Sequence, residues 1–245
     1  MLDAGHGGSE PGAVYQGRQE KDDNLALTLA VGEILESRGY DVVYTRTEDV
    51  YETPFQKATE ANESGADLFV SIHRNAFPTP NAASGVESLV YDKSGMKLEI
   101  AEAIDANLEA LGFRNLGVKE RPNLTVLKRT EMPAILVEVG FLNSDVDNEL
   151  FDAKFDEIAL AIADGITETL DTTGKYQVQI GLFRQENYAK DLLNELIVNG
   201  YPAYIQYDDR GYYVVKVGNY PNLSEAVKME QQLKNDGYQT LVVTA

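Results

Sequence analysis

The chain has 245 residues, of which 43% are hydrophobic, 25% are charged and none is cysteine. This composition predicts a globular protein of one or two domains, and it excludes coiled-coil, collagen-like or wholly disordered chains, disulfides and thiolate metal ligands. The net charge of −19 disfavours binding to nucleic acid or to an anionic membrane.

Up to about residue 171, the hydrophobic pattern alternates between helix-like and strand-like segments. It predicts helices over 20–38, 55–64, 97–111 and 149–170, and strands over 40–45, 67–72, 85–91 and 133–139. Only Leu2 precedes the first loop, so the first strand looks short. Alternating strands and helices predict an α/β domain with a mostly parallel, twisted sheet and helices on both faces.

A short polar stretch, residues 172–175, is the predicted linker, and an internal repeat follows it over 176–245. At an offset of 37 residues, Tyr176 aligns with Tyr213, Gly181 with Gly218 and Tyr201 with Tyr238. Each copy reads as strand, helix, glycine and strand. Two such halves predict a small four-stranded α+β domain, separate from a first domain over 1–171.

The two histidines of the chain, His6 and His73, each follow an apolar strand and open a loop. Because the carboxyl ends of strands form the ligand crevice in open α/β sheets, both imidazoles are expected to point into one site. Catalytic zinc typically has three protein ligands, and without cysteine the third would be a carboxylate. Glu20, at the predicted start of a helix, is the best candidate. The alternatives are structural histidines and an ordinary first-turn helix acid.

A further carboxylate, Glu138, interrupts the buried strand 133–139. A charge in such a strand is costly unless it is paired or belongs to a site, and Glu138 is therefore a candidate general base. A salt bridge to Arg46 or Arg74 is the alternative. Arg46, Arg74 and Asn75 are weak candidates for substrate contact, with a salt bridge or a loop hydrogen bond as the alternative for each.

Four motifs resemble the zinc-dependent N-acetylmuramoyl-L-alanine amidases of the type-3 amidase family. They are DAGHGG at 3–8, EKDDNL at 20–25, SIHRNA at 71–76 and LVEVGFL at 136–142. The resemblance implies that His6, Glu20 and His73 bind Zn²⁺ and that Glu138 is catalytic. It implies hydrolysis of the amide between N-acetylmuramic acid and L-alanine in peptidoglycan.

The repeat resembles a SPOR domain, through YQVQIGLF at 176–183 and YVVKVGNY at 213–220. Such domains bind peptidoglycan, often glycan strands that lack stem peptides. This part of the chain is rich in tyrosine, whose rings can stack on sugars. Most of these tyrosines are nevertheless expected to be half-buried strand residues.

The sequence therefore predicts a monomeric cell-wall hydrolase with peptidoglycan as partner, without nucleic-acid binding or membrane insertion. The alternatives are another zinc peptidoglycan peptidase and a non-catalytic wall-binding protein. Its expected location is the cell wall or the exterior. Because no signal-peptide pattern opens the chain, one expected route is synthesis in the cytoplasm and release on lysis. An autolysin, a sporulation enzyme that lyses the mother cell, and a phage lysin all fit these features.

Overall fold

A five-stranded sheet organises the N-terminal part of the chain. The computed structural model describes residues 1–171, 176–220 and 223–244. Its strands are β1 (Leu2–Ala4), β4 (Phe69–Asn75), β5 (Glu87–Val90), β6 (Lys119–Glu120) and β7 (Ala134–Phe141). The sheet has the order β1-β4-β7-β5-β6, and β5 is antiparallel to β7 while the other neighbouring pairs are parallel. The predicted mostly parallel α/β architecture is confirmed.

Helices flank this sheet, and a short hairpin of β2 (Val14–Tyr15) and β3 (Arg18–Gln19) leads into the first of them. The helices are α1 (Glu20–Ser37), α2 (Pro54–Ser64), α3 (Gly95–Ala110), α4 (Thr125–Arg129), α5 (Asp145–Ala153) and α6 (Phe155–Asp171). Side chains of α2 and α4 pack on β4, β5 and β7 in one apolar cluster that includes Ala61, Phe69 and Leu136. No helix among the described residues is both long and apolar enough to span a bilayer.

The start and end of α2 follow from local chemistry. Thr53 Oγ1 accepts a hydrogen bond from the Gln56 amide, and Gln56 Oε1 accepts one from the Thr53 amide, which forms a capping box. Pro54 occupies the first turn, where its missing N–H costs nothing. Gly65 ends the helix with φ +71°, a left-handed conformation that glycine adopts without strain.

Two predicted elements differ from the structure. Residues 40–45 form no regular strand; the segment makes a single parallel bridge from Tyr44 to Leu2, with hydrogen bonds between Leu2 and the backbones of Val43 and Thr45. The predicted closing helix is two helices, which break at Lys154 (φ −129°, ψ 31°). No proline or glycine marks this break. Lys154 instead donates to the Leu111 carbonyl, so a tertiary contact accompanies the turn.

The C-terminal part has its own antiparallel sheet of order β11-β8-β10-β9. Its elements are β8 (Tyr176–Phe183), α7 (Glu186–Val198), β9 (Ala203–Tyr207), β10 (Tyr213–Tyr220), α8 (Leu223–Asn235) and β11 (Leu241–Thr244). Each closing strand pairs with the opening strand of the other copy, since β9 pairs with β10 and β11 with β8. The two copies therefore complete one sheet.

The core of this second sheet explains most of its tyrosines. Tyr201 is buried, and Tyr213, Tyr220 and Tyr238 pack partly buried against the same apolar cluster. Tyr207, in contrast, is 63% exposed.

The chain divides into two compact units, Met1–Lys93 with Lys97–Thr169, and Ser94–Met96 with Leu170–Ala245. The predicted linker, 172–175, lies outside the described residues.

Candidate metal centre and general base

The loop after β1 holds His6 in an unusual backbone conformation. His6 has φ +61°, a left-handed value that is uncommon for residues other than glycine and is found at sites that the surrounding structure constrains. Gly5 lies so close to the His73 imidazole that an added Cβ would collide with the ring. The glycine therefore allows the two imidazoles to approach, and their ring centroids lie 4.9 Å apart.

Glu20 links the two histidines. Its Oε1 lies 3.1 Å from His6 Nε2 and 3.0 Å from His73 Nδ1, and its carboxylate is almost completely buried. The second oxygen, Oε2, accepts a hydrogen bond from the Ala13 amide. Because α1 begins at Glu20, the positive end of the helix also favours a carboxylate there.

The charges of this cluster reinforce one another. Burial would lower the pKa of His6, but the carboxylates of Glu20 and Glu10 outweigh it and hold that pKa at about 9. Burial would likewise raise the pKa of Glu20, but hydrogen bonds from His6 and His73 bring it well below its ordinary value. The cluster thus combines a carboxylate with an imidazole, that of His6, which carries a positive charge at neutral pH in the absence of a competing cation.

These three residues fit a divalent metal ion. Within the described part of the chain, His6, Glu20 and His73 form the one group of three or more ligating side chains whose donor atoms all lie within 4.8 Å of one another. Ligands of a tetrahedral zinc, with bonds of about 2.0–2.1 Å, lie about 3.3 Å apart. The distances of 3.0 and 3.1 Å from Glu20 to the imidazoles are close to that spacing. The donor set of two nitrogens and one oxygen leaves a fourth position for water or substrate.

Glu138 lies beside this group, on the neighbouring strand. It pairs in register with His73 on one side and with Glu87 on the other, so that the three side chains share one face of the sheet. Its Oε2 is buried and has no hydrogen-bond partner among the described residues. Burial raises the pKa of Glu138 to about 7; the charge of His73 opposes the rise, and those of Glu20 and Glu87 add to it. A carboxylate with this pKa is suited to proton transfer near neutral pH.

Neither arginine forms the salt bridge to Glu138 that the sequence left open. Arg46 is buried and donates to the backbone carbonyls of Ala4, Gly5, Lys21 and Glu48, where it supports the His6 loop.

Arg74 is 1% exposed and forms an ion pair with Asp23. The ion pair is the alternative that the sequence left open for Arg74, and its contact with substrate stays a prediction. Asn75 donates to Glu87 Oε1, at 3.1 Å, and accepts from the Ala76 amide.

The strand ends extend further than the sequence indicates. Strand β4 continues two residues beyond His73, and β7 continues three residues beyond Glu138. The side chains therefore project from the sheet itself rather than from loops. This placement fixes their backbone positions more firmly than a loop would.

Two supporting carboxylates escaped the sequence analysis. Glu10 contacts His6 Nδ1 and also accepts from the Gly12 amide, so it orients the ring with Nε2 towards Glu20. Asp3, below the loop, is buried against Lys57, Thr45 and Ser71. A carboxylate four residues after His6 was the one signal in the sequence for Glu10, whereas Asp3 had no partner nearby in the chain.

Comparisons with known proteins show the family of this chain. Residues 1–168 match the family model described as N-acetylmuramoyl-L-alanine amidase, and residues 172–244 match the model of the SPOR domain. A sporulation-specific N-acetylmuramoyl-L-alanine amidase of Bacillus subtilis is 32% identical over 220 residues, which cover 85% of this chain and 84% of the relative. The amidase CwlM of Bacillus licheniformis is 33% identical over 219 residues, 85% of each chain.

A solved structure supports the fold of the first unit. The crystal structure of an N-acetylmuramoyl-L-alanine amidase from Clostridium difficile 630 superposes with a TM-score of 0.65 at 35% identity. The match covers 71% of this chain and 96% of that structure. Sequence, fold and the grouping of His6, Glu20 and His73 thus lead to one assignment: this chain belongs to the N-acetylmuramoyl-L-alanine amidase family and carries a C-terminal SPOR domain.

Proposed function

We propose that this chain hydrolyses the amide bond between N-acetylmuramic acid and L-alanine in peptidoglycan, with Zn²⁺ held by His6, Glu20 and His73 and with Glu138 as the general base. The observation that carries the proposal is the juxtaposition of three ligand atoms within 4.8 Å and an unpartnered, buried carboxylate oxygen on the next strand. Family membership supports the reaction, because the matched family consists of amidases of this kind.

The protein side chains divide the work of binding and orienting. When bound, zinc supplies Lewis-acid polarisation of the scissile carbonyl and lowers the pKa of a water. Glu20 contributes the negative charge of the ligand set and is held by the Ala13 amide. Glu10 contacts Nδ1 of His6, the ring nitrogen that does not face Glu20, and so fixes the orientation of the ring. This is the usual role of a carboxylate that contacts a ligating histidine.

Glu138 moves the proton. Its pKa, raised to about 7 by burial, allows the carboxylate to accept a proton from the attacking water at neutral pH. The same group then returns that proton to the L-alanine nitrogen as the C–N bond breaks. The products are the lactyl carboxylate of the sugar and a free amino terminus on the stem peptide.

The test of this function is a digestion of purified cell wall. The wild-type protein with zinc should release new L-alanine amino termini, detected by labelling of free amines and hydrolysis. An endopeptidase would expose other residues, and a wall-binding protein would expose none; either outcome contradicts the proposal.

Glu138→Gln tests the role of the base in the same assay. General bases contribute about 10²–10⁴-fold to rate, so the variant should lose at least about 100-fold in kcat while it retains its zinc. Glu63→Gln, a substitution of an exposed carboxylate on α2, is the matched control and should keep the wild-type rate. Full activity of Glu138→Gln would reject this assignment of the base.

The C-terminal unit is proposed to hold the enzyme on glycan strands. On the sheet, Lys216 Nζ donates to Gln177 Oε1 and to Gln206 Oε1, at 2.8 and 2.9 Å. Side chains of this kind suit the hydroxyl groups of sugars, and the match to the SPOR model supports the same ligand. We therefore propose a wall-associated enzyme of wall degradation, with lysis of the mother cell in sporulation as its setting. The domains are proposed to be 1–171 and 176–245, joined by 172–175, in a monomer.

A further inference from the structure

Arg74 connects all three of the elements that carry Glu20, His73 and Glu138, namely α1, β4 and β7. It follows His73 on β4, and its guanidinium reaches α1, the helix that begins at Glu20. Arg74 Nη1 forms an ion pair of 2.6 Å with Asp23 Oδ2, one turn along α1 from Glu20. Its Nε donates to the Val139 carbonyl at 3.0 Å, the residue after Glu138 on β7.

The remaining contacts fix the plane of the guanidinium. Nη2 donates to Asn148 Oδ1 on α5 at 2.8 Å, and the Arg74 Cζ lies 4.2 Å from the centroid of the Phe151 ring. A planar group with donors in three directions and an aromatic ring on one face has little freedom to move. The backbone amide of Arg74 also donates to Glu20 Oε1, at 3.2 Å.

We infer that the Arg74–Asp23 pair is a positioning device that sets the distance between His73 and Glu20 and the placement of Glu138. A single buried side chain ties the strand of one ligand to the helix of another and to the strand of the base. The inference rests on the proposed function, since it concerns the metal that these ligands would hold. Arg74 is outside the group of three ligating side chains, and in this role it acts through the backbone elements that carry His73, Glu20 and Glu138.

An arginine is required here by geometry. Lysine would keep the charge, but its single ammonium cannot address α1, β7 and α5 in one plane. Asp23 is shared, because Arg18 Nε lies 2.7 Å from the same Oδ2 and Arg18 also pairs with Asp152. Asp23→Asn therefore weakens the link to Arg74 with little change in volume, and Arg18 keeps a carboxylate partner.

The experiment measures the binding of zinc by the full chain in competition with a chelator, and the visible absorption of the Co²⁺-loaded protein. Supporting contacts around metal ligands contribute about 10–100-fold to affinity, so Arg74→Lys and Asp23→Asn should each bind zinc about 10–100-fold more weakly. The Co²⁺ bands, which report ligand geometry, should shift in both variants. A role in folding alone would leave the Co²⁺ spectrum of folded protein unchanged.

Arg38→Lys is the matched control. Arg38 joins the other end of α1 to Asp164 and Thr167 on α6, about 27 Å along the helix from Glu20. This control should lose the simultaneous guanidinium contact with Asp164 and Thr167 but keep wild-type zinc affinity and Co²⁺ bands. Should Arg74→Lys fail to fold, as judged by circular dichroism, Asp23→Asn decides the outcome.

Two results would refute the positioning role of Arg74, and a third would contradict the proposed metal site. Unchanged zinc affinity and Co²⁺ bands in folded Asp23→Asn and Arg74→Lys refute the positioning role. Equal weakening in Arg38→Lys refutes it as well, because the effect would then be general to α1. Failure of the wild-type protein to bind Zn²⁺ or Co²⁺ contradicts the proposed metal site itself. This result differs from refutation of the positioning role, in which the wild-type protein and both variants bind the metal equally well.

Discussion

Removal of the ammonium of Lys57 should destabilise the amidase domain strongly, and by an amount that depends on pH. Lys57 Nζ lies 2.6 Å from Asp3 Oδ1 and 2.7 Å from the Ala4 carbonyl oxygen. The side chains of Lys57 and Asp3 are only 4% and 1% exposed. Lys57→Met keeps most of the length of the side chain but leaves the Asp3 carboxylate buried without a cation.

The size of the loss is limited by protonation of Asp3. Two unit charges 2.6 Å apart attract by about 6 kcal/mol at an effective dielectric constant of about 20. In the variant, protonation of Asp3, whose ordinary pKa is 3.8, avoids the larger cost of a buried carboxylate without a cation. Protonation costs about 4 kcal/mol at pH 7 and about 2 kcal/mol at pH 5, at 1.36 kcal/mol per unit. We expect losses of about 3–4 kcal/mol at pH 7, in the range known for broken buried pairs, and about 2 kcal/mol at pH 5.

The sign follows from the wild-type pair. Burial opposes ionisation of Asp3, but Lys57 and Ser71 outweigh it and hold the pKa of Asp3 below its ordinary value. The pair therefore stabilises the fold above pH 3.8, and this contribution disappears as the pH falls through the lowered pKa. Without Lys57, burial raises the pKa of Asp3. The destabilisation of the variant therefore becomes smaller as the pH falls and Asp3 is protonated.

Urea denaturation followed by circular dichroism at pH 7 and pH 5 measures the free energy of unfolding. Lys128→Met, at an exposed position on α4, should change it by less than about 0.5 kcal/mol. The double variant Lys57→Met/Asp3→Asn should recover most of the loss, because the amide is neutral. Its oxygen can accept from one of the two hydroxyls of Thr45 and Ser71, and its NH2 group can donate to the other. A loss below about 1 kcal/mol at pH 7, or equal losses at both pH values, would show that the pair does not stabilise the fold in this way.

Two further outcomes are expected. Glu10→Ala should bind zinc about 10–100-fold more weakly in chelator competition, because His6 loses the carboxylate that orients its ring; wild-type affinity would mean that the loop alone orients it. Asp105 is buried on α3 beside Ser88, and burial, partly offset by hydrogen bonds from Ser88, raises its pKa to about 6. Its ionised form is disfavoured in the folded state, so stability from this group is greatest below pH 3.8 and falls as the pH rises to about 6. Asp105→Asn should therefore gain stability relative to wild type between pH 4 and pH 7, by about 3 kcal/mol at most; a constant difference across this range would contradict the assignment.

The local elements that carry their own end signals were predicted well. Helix α1 begins at Glu20 and ends before Gly39, and α2 ends before Gly65. The 37-residue offset of the repeat reappears in α7 and α8, whose bounds differ by that number at both ends. Such features depend on short-range chemistry, namely caps, glycine and hydrophobic period, which the sequence displays directly.

Elements that depend on distant partners were predicted less well. The break at Lys154 has no local breaker, and residues 40–45 lack a strand of sufficient length to pair with. From the sequence, Arg74 is a weak candidate for substrate contact, with a salt bridge or a loop hydrogen bond as the alternative, and the sequence indicates no partner for such a bridge other than Glu138. Its burial depends on Asp23 and Phe151, which lie far from it in the chain.

The sequence by itself determined the residue types of the site, because four short motifs carry the imidazoles and carboxylates that amide hydrolysis uses. Only the tertiary structure decided how they are held. The register of β4 against β7 places His73 beside Glu138, and the start of α1 brings Glu20 between two imidazoles 67 positions apart. The supporting roles of Glu10, Asp3 and Arg74 can likewise be recognised only in the folded chain. Their burial and hydrogen bonds depend on the packing of distant segments, which the sequence does not display.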